Sequence, residues 1–140
     1  MSDFKKLFIW NKSMDHAVKV YKLTNQLPDS EKFNLSSQLK RAAVSIPSNI
    51  AEGSSRPSGK EYAHFLDIAL GSSFEIETQI LIAYQLGYFS PEEIKDLSEG
   101  NKIIQSGIRN LRGKIMQKAI TRIIGIIILL LITVYGITNL

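Results

Sequence analysis

The sequence predicts an all-α protein: an antiparallel up-down four-helix bundle with a C-terminal apolar helical extension. Three observations carry that prediction. Apolar residues recur at three- and four-residue steps in four long segments. Helix starts and stops punctuate those segments: Ser-x-x-Glu opens two of them, and Pro28, Gly53 and Gly87 close three. No stretch has the strict alternation that a half-buried strand requires. At 140 residues the chain is sized for one domain with a single core.

The first helix is expected from about Ile9 to Gln26. Trp10, Met14, Ala17, Val18 and Tyr21 share one face, with Lys12, Lys19 and Lys22 elsewhere. Pro28 and Asp29 end it, and Phe4, Leu7 and Phe8 form an extended lead-in. The second helix is expected from about Glu31 to Glu52, with Leu35, Leu39, Ala42, Ala43, Ile46 and Ile50 as its apolar stripe. Pro47 removes a backbone donor and crowds the carbonyl four residues back, so a bend is expected near Ala43 to Ile46. Gly53 stops this helix, and "GSSRPSG" is the following loop.

Ser58 and Glu61 have the spacing of a capping box for the third helix, which runs to about Leu86 with Gly87 as its terminator. Its apolar side is Tyr62, Phe65, Leu66, Ala69, Ile76, Ile80 and Ala83. The fourth opens the same way, with Ser90 as cap, Pro91 in the first helical position and Glu93 two residues on. Ile94, Leu97, Asn101, Ile104, Ile108, Leu111 and Ile115 then alternate steps of three and four, a heptad seam with one polar member. Gly100, Gly107 and Gly113 lower helix propensity and mark candidate points of close helix approach.

The net charge of +4 hides a block structure. Residues 1–60 hold ten Lys/Arg against five Asp/Glu, residues 61–100 one against eight, and residues 101–122 six against none. The last eighteen residues, Ile123 to Leu140, carry no charged side chain. As a helix they span about 27 Å, slightly under a bilayer core, with Lys114, Lys118 and Arg122 on the flank. The organisation expected is therefore a bundle over 1–118 and an apolar tail over 119–140. That tail is read either as a membrane anchor, as an extension of the fourth helix buried in an oligomer, or as a frameshift or fusion product. The first sixteen residues have neither a long apolar core nor a small-residue cleavage site, so no signal peptide is expected.

The absence of cysteine excludes disulfides, thiolate catalysis and cysteine-ligated metal sites, and fits a cytoplasmic protein. Glu61 and His64 form one Glu-x-x-His, half of a carboxylate-bridged di-iron signature. The other histidine, His16, has Ser13 where a second glutamate is required, so Glu61 is read as a capping residue. No G-x-S-x-G, Walker or G-x-G-x-x-G motif is present. The expectation is no enzyme, no cofactor and no metal. A polar stripe of Arg41, Ser45, Ser48, Asn49 and Glu52, continued by Arg56, is read as a network against Glu75 or Glu77 or against another subunit. Lys102, Arg109, Arg112, Lys114, Lys118 and Arg122 are candidates for phosphate or anionic-surface contacts.

Three segments carry a resemblance. "FKKLFIWNKSMDHAVKVYKLTNQLP", "RAAVSIPSNIAEG" and "FLDIALGSSFEIE", in that order and with Arg56, Ser58 and Glu61 between the last two, resemble the four-helix bundle proteins encoded in intervening sequences of bacterial 23S rRNA genes. Accessory variability proteins of diversity-generating retroelements belong to the same group. The resemblance spans about residues 4–118. It implies a four-helix protomer in a barrel-like homopentamer, no enzyme activity, and, for the retroelement members, basic adaptors of nucleic acid and a reverse transcriptase. It also implies that Arg41, Ser45, Asn49, Glu52, Gly53, Arg56, Glu61, Gly71, Ser72 and Glu75 serve fold and assembly. RNA or DNA, a membrane reached through residues 123–140, and an unnamed protein are the remaining partner expectations.

Overall fold

The computed structural model describes residues 3–138, the side chains of the last three apart. Four α-helices are present among them: α1 (Phe8–Leu23), α2 (Leu35–Ser54), α3 (Gly59–Gln85) and α4 (Pro91–Thr138). Single 3-10 turns at Phe4–Lys6, Thr24–Gln26 and Asp29–Glu31 flank α1 and lead into α2. Each helix packs on its neighbours in the chain, α1 closes the ring against α4, and the backbones of the diagonal pairs stay apart across a shared core. Residue numbers rise on one partner as they fall on the next, as in Ile9 beside Gly107 and His16 beside Gly100. This is the antiparallel up-down bundle that the four apolar segments predict.

The caps of α3 and α4 and the end of α3 follow the sequence, while other ends shift. Gly53 lies buried inside α2 rather than stopping it, and α1 ends at Leu23 with Thr24–Gln26 as a 3-10 turn. The lead-in at Phe4–Lys6 is a 3-10 turn rather than extended. Ser58 Oγ accepts from the Glu61 amide at 3.1 Å, but Glu61 answers through the Ser58 hydroxyl at 2.7 Å. At α4 the box is fully reciprocal: the Ser90 amide donates to Glu93 Oε2 at 2.8 Å, and the Glu93 amide to Ser90 Oγ at 3.3 Å. Gly87 ends α3 with φ +77°, and the Gly87 and Tyr88 amides bond back to the Tyr84 and Ala83 carbonyls at 2.9 Å each. That pair of bonds satisfies the orphan carbonyls of a Schellman motif. Helix α2 begins four residues later than expected, because residues from Asp29 form a 3-10 turn and Glu31 Oε2 takes the Leu35 amide from outside the helix. Pro47 is buried inside α2, which continues unbroken to Ser54.

The core is a column of aliphatic side chains. Leu39, Ile46, Ile50, Leu66, Ile76, Ile80, Ile104 and Ile108 are all essentially inaccessible to water, each stabilising the fold by roughly 1.5–3 kcal/mol. The heptad seam of α4 is oriented as expected, with Leu97, Asn101, Ile104 and Ile108 buried and Ile94, Leu111 and Ile115 half-buried. Two of its glycines mark close contacts. A Cβ at Gly107 would lie 2.5 Å from Ile9 Cδ1, and one at Gly100 would lie 3.0 Å from His16 Nδ1. Gly113 faces open space and marks none.

Helix α1 departs from expectation. Its buried residues are Ile9, Ser13, His16, Ala17 and Val20. Of the predicted apolar face, Ala17 is buried and Trp10 half-buried, while Met14, Val18 and Tyr21 are exposed. The helix has two candidate stripes, and the less hydrophobic one turns inward. It does so because small Ser13 and Ala17 allow close approach, and because α4 offers Gly100 and Gly107 opposite His16 and Ile9.

A polar layer therefore crosses mid-core. Asn101 Nδ2 donates to the Ser73 carbonyl at 2.8 Å. Gln105 Nε2 donates to Glu77 at 2.9 Å. Ser13 and Ser73 return their hydroxyl protons to carbonyls three residues back. His16 Nε2 and Asn101 Oδ1 are buried without a protein partner. Burial, then Lys19, pushes the His16 pKa down to about 4, with Asp96 opposing.

Gly53→Ala gains up to about 1 kcal/mol of helix propensity, yet its Cβ would sit 2.6 Å from Tyr62 Cδ2 and 2.9 Å from Phe65 Cβ. Overpacking at such a contact costs about 1–3 kcal/mol, so a net loss of stability is expected in denaturant titration. His16, neutral in the fold, binds a proton more readily once unfolded. Its contribution is complete above its ordinary pKa of 6.5 and is lost as pH falls towards 4, by about 3 kcal/mol. Stability of His16→Gln should change distinctly less between pH 7 and 4.5 than that of the parent; parallel losses would refute the assignment.

Candidate functional surfaces

The described residues present three candidate surfaces: the polar face shared by α2 and α3, the basic residues of α4, and its apolar segment. On the first, Asn49 Nδ2 donates to the Ser45 carbonyl at 2.8 Å and to Ser45 Oγ at 3.0 Å, and Ser72 Oγ donates to Ser45 Oγ at 2.8 Å. The Ser72–Ser45 bond ties the two helices together at mid-height, with Asn49 holding Ser45 within α2. Above them Gln38, Arg41, Ser45, Ser72 and Glu75 line an open polar groove of about 350 Å³. Arg41 and Glu75 are both exposed there, and no hydrogen bond or ion pair joins them.

The remaining members of the predicted network lie elsewhere. Glu52 and Arg56 pair one turn apart on the surface, and the Arg56 guanidinium lies 4.6 Å over the Phe65 ring. Glu61 is occupied at the α3 cap. Glu77, one of the two carboxylates expected to meet the stripe, instead turns to Gln105 of α4. The predicted residues thus separate into a Ser45–Asn49–Ser72 cluster, an Arg41–Glu75 groove and a Glu52–Arg56 pair. His64 is exposed and meets Phe65 edge-on rather than joining Glu61 in a cluster. No group of three metal-ligating side chains occurs among the described residues.

The six basic residues of α4 do not form one stripe. Arg112 is held by Asp67 of α3, with Nε to Oδ1 at 2.6 Å and Nη2 to Oδ2 at 3.0 Å; that bidentate hydrogen bonding pushes its pKa up. Arg109 lies over the Phe74 ring of α3 at 5.6 Å. With Lys102 they leave the helix on its α3 side. Lys118 and Arg122, one turn apart, line a second groove of about 500 Å³ walled by the α2–α3 loop. Lys102, Lys114, Lys118 and Arg122 have no carboxylate partner among the described residues.

Beyond Arg122 the helix continues without a break, crossing the expected boundary at residues 118 and 119 inside regular α structure. At 48 residues, α4 is about 72 Å long, far longer than its partners. From Ile120 to Tyr135 every side chain is exposed. An eighteen-residue window here has mean hydropathy 2.1 with none of it buried. By length and composition this segment can cross a membrane.

Sequence reading missed two features. One is the extent of the mid-core layer beyond Asn101, whose signals are the further polar residues Ser13, His16, Ser73 and Gln105 on the inward faces. The other is the exposed apolar stripe of α1, where Met14, Val18 and Tyr21 are 40%, 50% and 43% exposed. Two overlapping apolar stripes on one helix are the signal that finds it.

The family model described as 23S rRNA-intervening sequence protein matches residues 5–110. A crystal structure of a protein of unknown function from the S23 ribosomal protein family of Bacteroides thetaiotaomicron is similar in fold, with a TM-score of 0.69 and 25% sequence identity. That similarity covers 74% of this chain and 97% of the other. No curated protein matches the sequence. With the bundle and most of its length matched, the chain belongs to the 23S rRNA-intervening sequence protein family.

Proposed function

We propose that this protein is a self-associating, non-enzymatic scaffold whose bundle is held at the cytoplasmic face of a membrane by the apolar segment of α4. One observation carries the reading: an uncharged, wholly exposed helical segment continues directly from the bundle and is preceded by Lys114, Lys118 and Arg122. Left in water, such a surface favours aggregation, whereas a bilayer covers it. The basic flank suits the cytoplasmic side. Self-association, in a pentamer as the family resemblance implies, is supported by the α1 stripe of Met14, Val18 and Tyr21. Phe74, Leu81 and Ile82 of α3 leave further apolar area uncovered.

The second reading is an oligomeric adaptor that binds RNA or DNA without sequence preference, as the resemblance to the retroelement accessory proteins suggests. Unpaired Lys102, Lys114, Lys118 and Arg122 favour it. It ranks lower because Arg112 is already paired with Asp67 and Lys102 lies on a different side of α4 from Lys114, Lys118 and Arg122. Phosphate contacts of this kind weaken steeply with salt, so a filter-binding titration at two salt concentrations tests it.

For the tether, the full chain should remain in carbonate-washed membranes. Ile127→Lys with Leu130→Lys, placing two charges in the apolar segment, should release it; equal partitioning of both proteins would overturn the reading. For self-association, Val18→Glu should lower the subunit number seen by light scattering in detergent, with the helical circular dichroism signal unchanged because residue 18 faces solvent. An unchanged subunit number would remove the α1 stripe from the interface.

A further inference from the structure

The groove beneath the apolar segment carries more chemistry than a general basic flank. Its walls are the loop from Ser54 to Gly59, Tyr62 of α3, and Ile115, Lys118, Ala119 and Arg122 of α4. No carboxylate lines it, while three cations do: Arg56, Lys118 and Arg122. Arg56 is shared with Glu52, but Lys118 and Arg122 are unpaired. The loop serines contribute little donor capacity. Ser54 and Ser55 give their protons to the Ala51 and Glu52 carbonyls, and Ser58 gives its own to Glu61. Tyr62 adds a phenol to the lining, and burial pushes its pKa up. The groove thus offers positive charge and a phenol, with no competing anion on its walls.

Its height on α4 is the second observation. Lys118 precedes Ile123 by five residues and Arg122 by one, so they lie about 7.5 Å and 1.5 Å below the start of the uncharged segment. The headgroup layer on each side of a bilayer is roughly 5–8 Å thick. When Ile123 enters the hydrocarbon, the groove opens at headgroup depth. The bundle is also polarised along its axis. Lys5, Lys6, Arg56, Lys60, Lys114, Lys118 and Arg122 lie towards this end, whereas Glu92, Glu93, Asp96 and Glu99 open α4 at the other.

We propose that this groove binds the phosphate of an anionic phospholipid headgroup, with Lys118 and Arg122 as its principal cations and Arg56 as a third. The proposal rests on the membrane-tether reading and adds a lipid preference to it. Two cations near an anionic surface should each favour the bound lipid by about fivefold at most. Lys114, one turn below Lys118 on the same flank and outside the groove, supplies a control of equal charge.

The test uses the full chain reconstituted in nanodiscs of phosphatidylcholine with a minority of phosphatidylglycerol. Lipids retained on gentle detergent extraction are counted by native mass spectrometry. The parent should retain phosphatidylglycerol several-fold above its share of the bilayer. Lys118→Gln with Arg122→Gln should lose that enrichment while the protein stays in carbonate-washed membranes. Lys114→Gln should keep most of it. Equal enrichment in parent and double variant, or the same loss with Lys114→Gln, overturns the groove while leaving the tether intact. A parent released by carbonate fails the tether itself. Two further outcomes also overturn the lipid assignment when no phosphatidylglycerol preference is seen. One is inorganic phosphate bound by the lipid-free protein and lost in the double variant; the other is the same behaviour with a single-stranded RNA.

Discussion

The roll of α4 about its own axis depends on one polar contact in an otherwise aliphatic seam. Asn101 is fully buried, and its amide donates to the Ser73 carbonyl in α3. A roll or slide of α4 would leave that amide unpaired in the core, at a cost of about 1–3 kcal/mol. A wholly aliphatic seam would tolerate a slip more readily, and a single buried amide is a well-attested register device. With the register set, Gly100 and Gly107 meet His16 and Ile9, Arg112 reaches Asp67, and Lys118 and Arg122 come up against the α2–α3 loop. The basic and apolar surfaces of α4 are downstream of that contact, whereas the polar face of α2 and α3 is set by Ser45 and Ser72.

The same constraint accounts for α1. A helix facing α4 must fit against glycines and next to a buried amide, so close approach outweighs hydrophobicity in choosing its inner face. Ser13, His16 and Ala17 go inward, and their polar atoms are met by local carbonyls or left unpartnered. The more apolar Met14, Val18 and Tyr21 are left outside. Exposed ion pairs such as Lys19 with Asp96 then trim the α1–α4 contact, contributing less than about 1 kcal/mol each. The outward stripe is the cost of that fit unless another surface covers it.

Charge and hydropathy are both distributed along the bundle axis. The acidic start of α4 sits at one end; at the other, the basic residues lie directly below sixteen uncharged helical positions, Ile123 to Thr138. A soluble bundle has no need of a helix more than twice the length of α2. Continuity matters physically, because an unbroken helix transmits the orientation of the bundle to the apolar segment and holds the groove at a defined depth beneath it. A flexible linker would leave that depth unset.

Much of this was legible in the residues alone. The periodic segments, Ser90 with Glu93, Gly87 and the seam from Ile94 to Ile115 report local preferences, which act within a few turns and so survive in the sequence pattern. The uncharged segment after Arg122 is legible for the same reason. Choices between nearly equal partners were not. Which stripe of α1 turns inward, whether Glu75 or Glu77 meets another helix, and that Arg112 is neutralised while Lys118 is free depend on residues far apart in the chain. Composition and spacing determined that four helices and an apolar extension exist. Only tertiary packing decided which faces are left for partners, because burial is shared between surfaces and no single segment encodes its own counterpart.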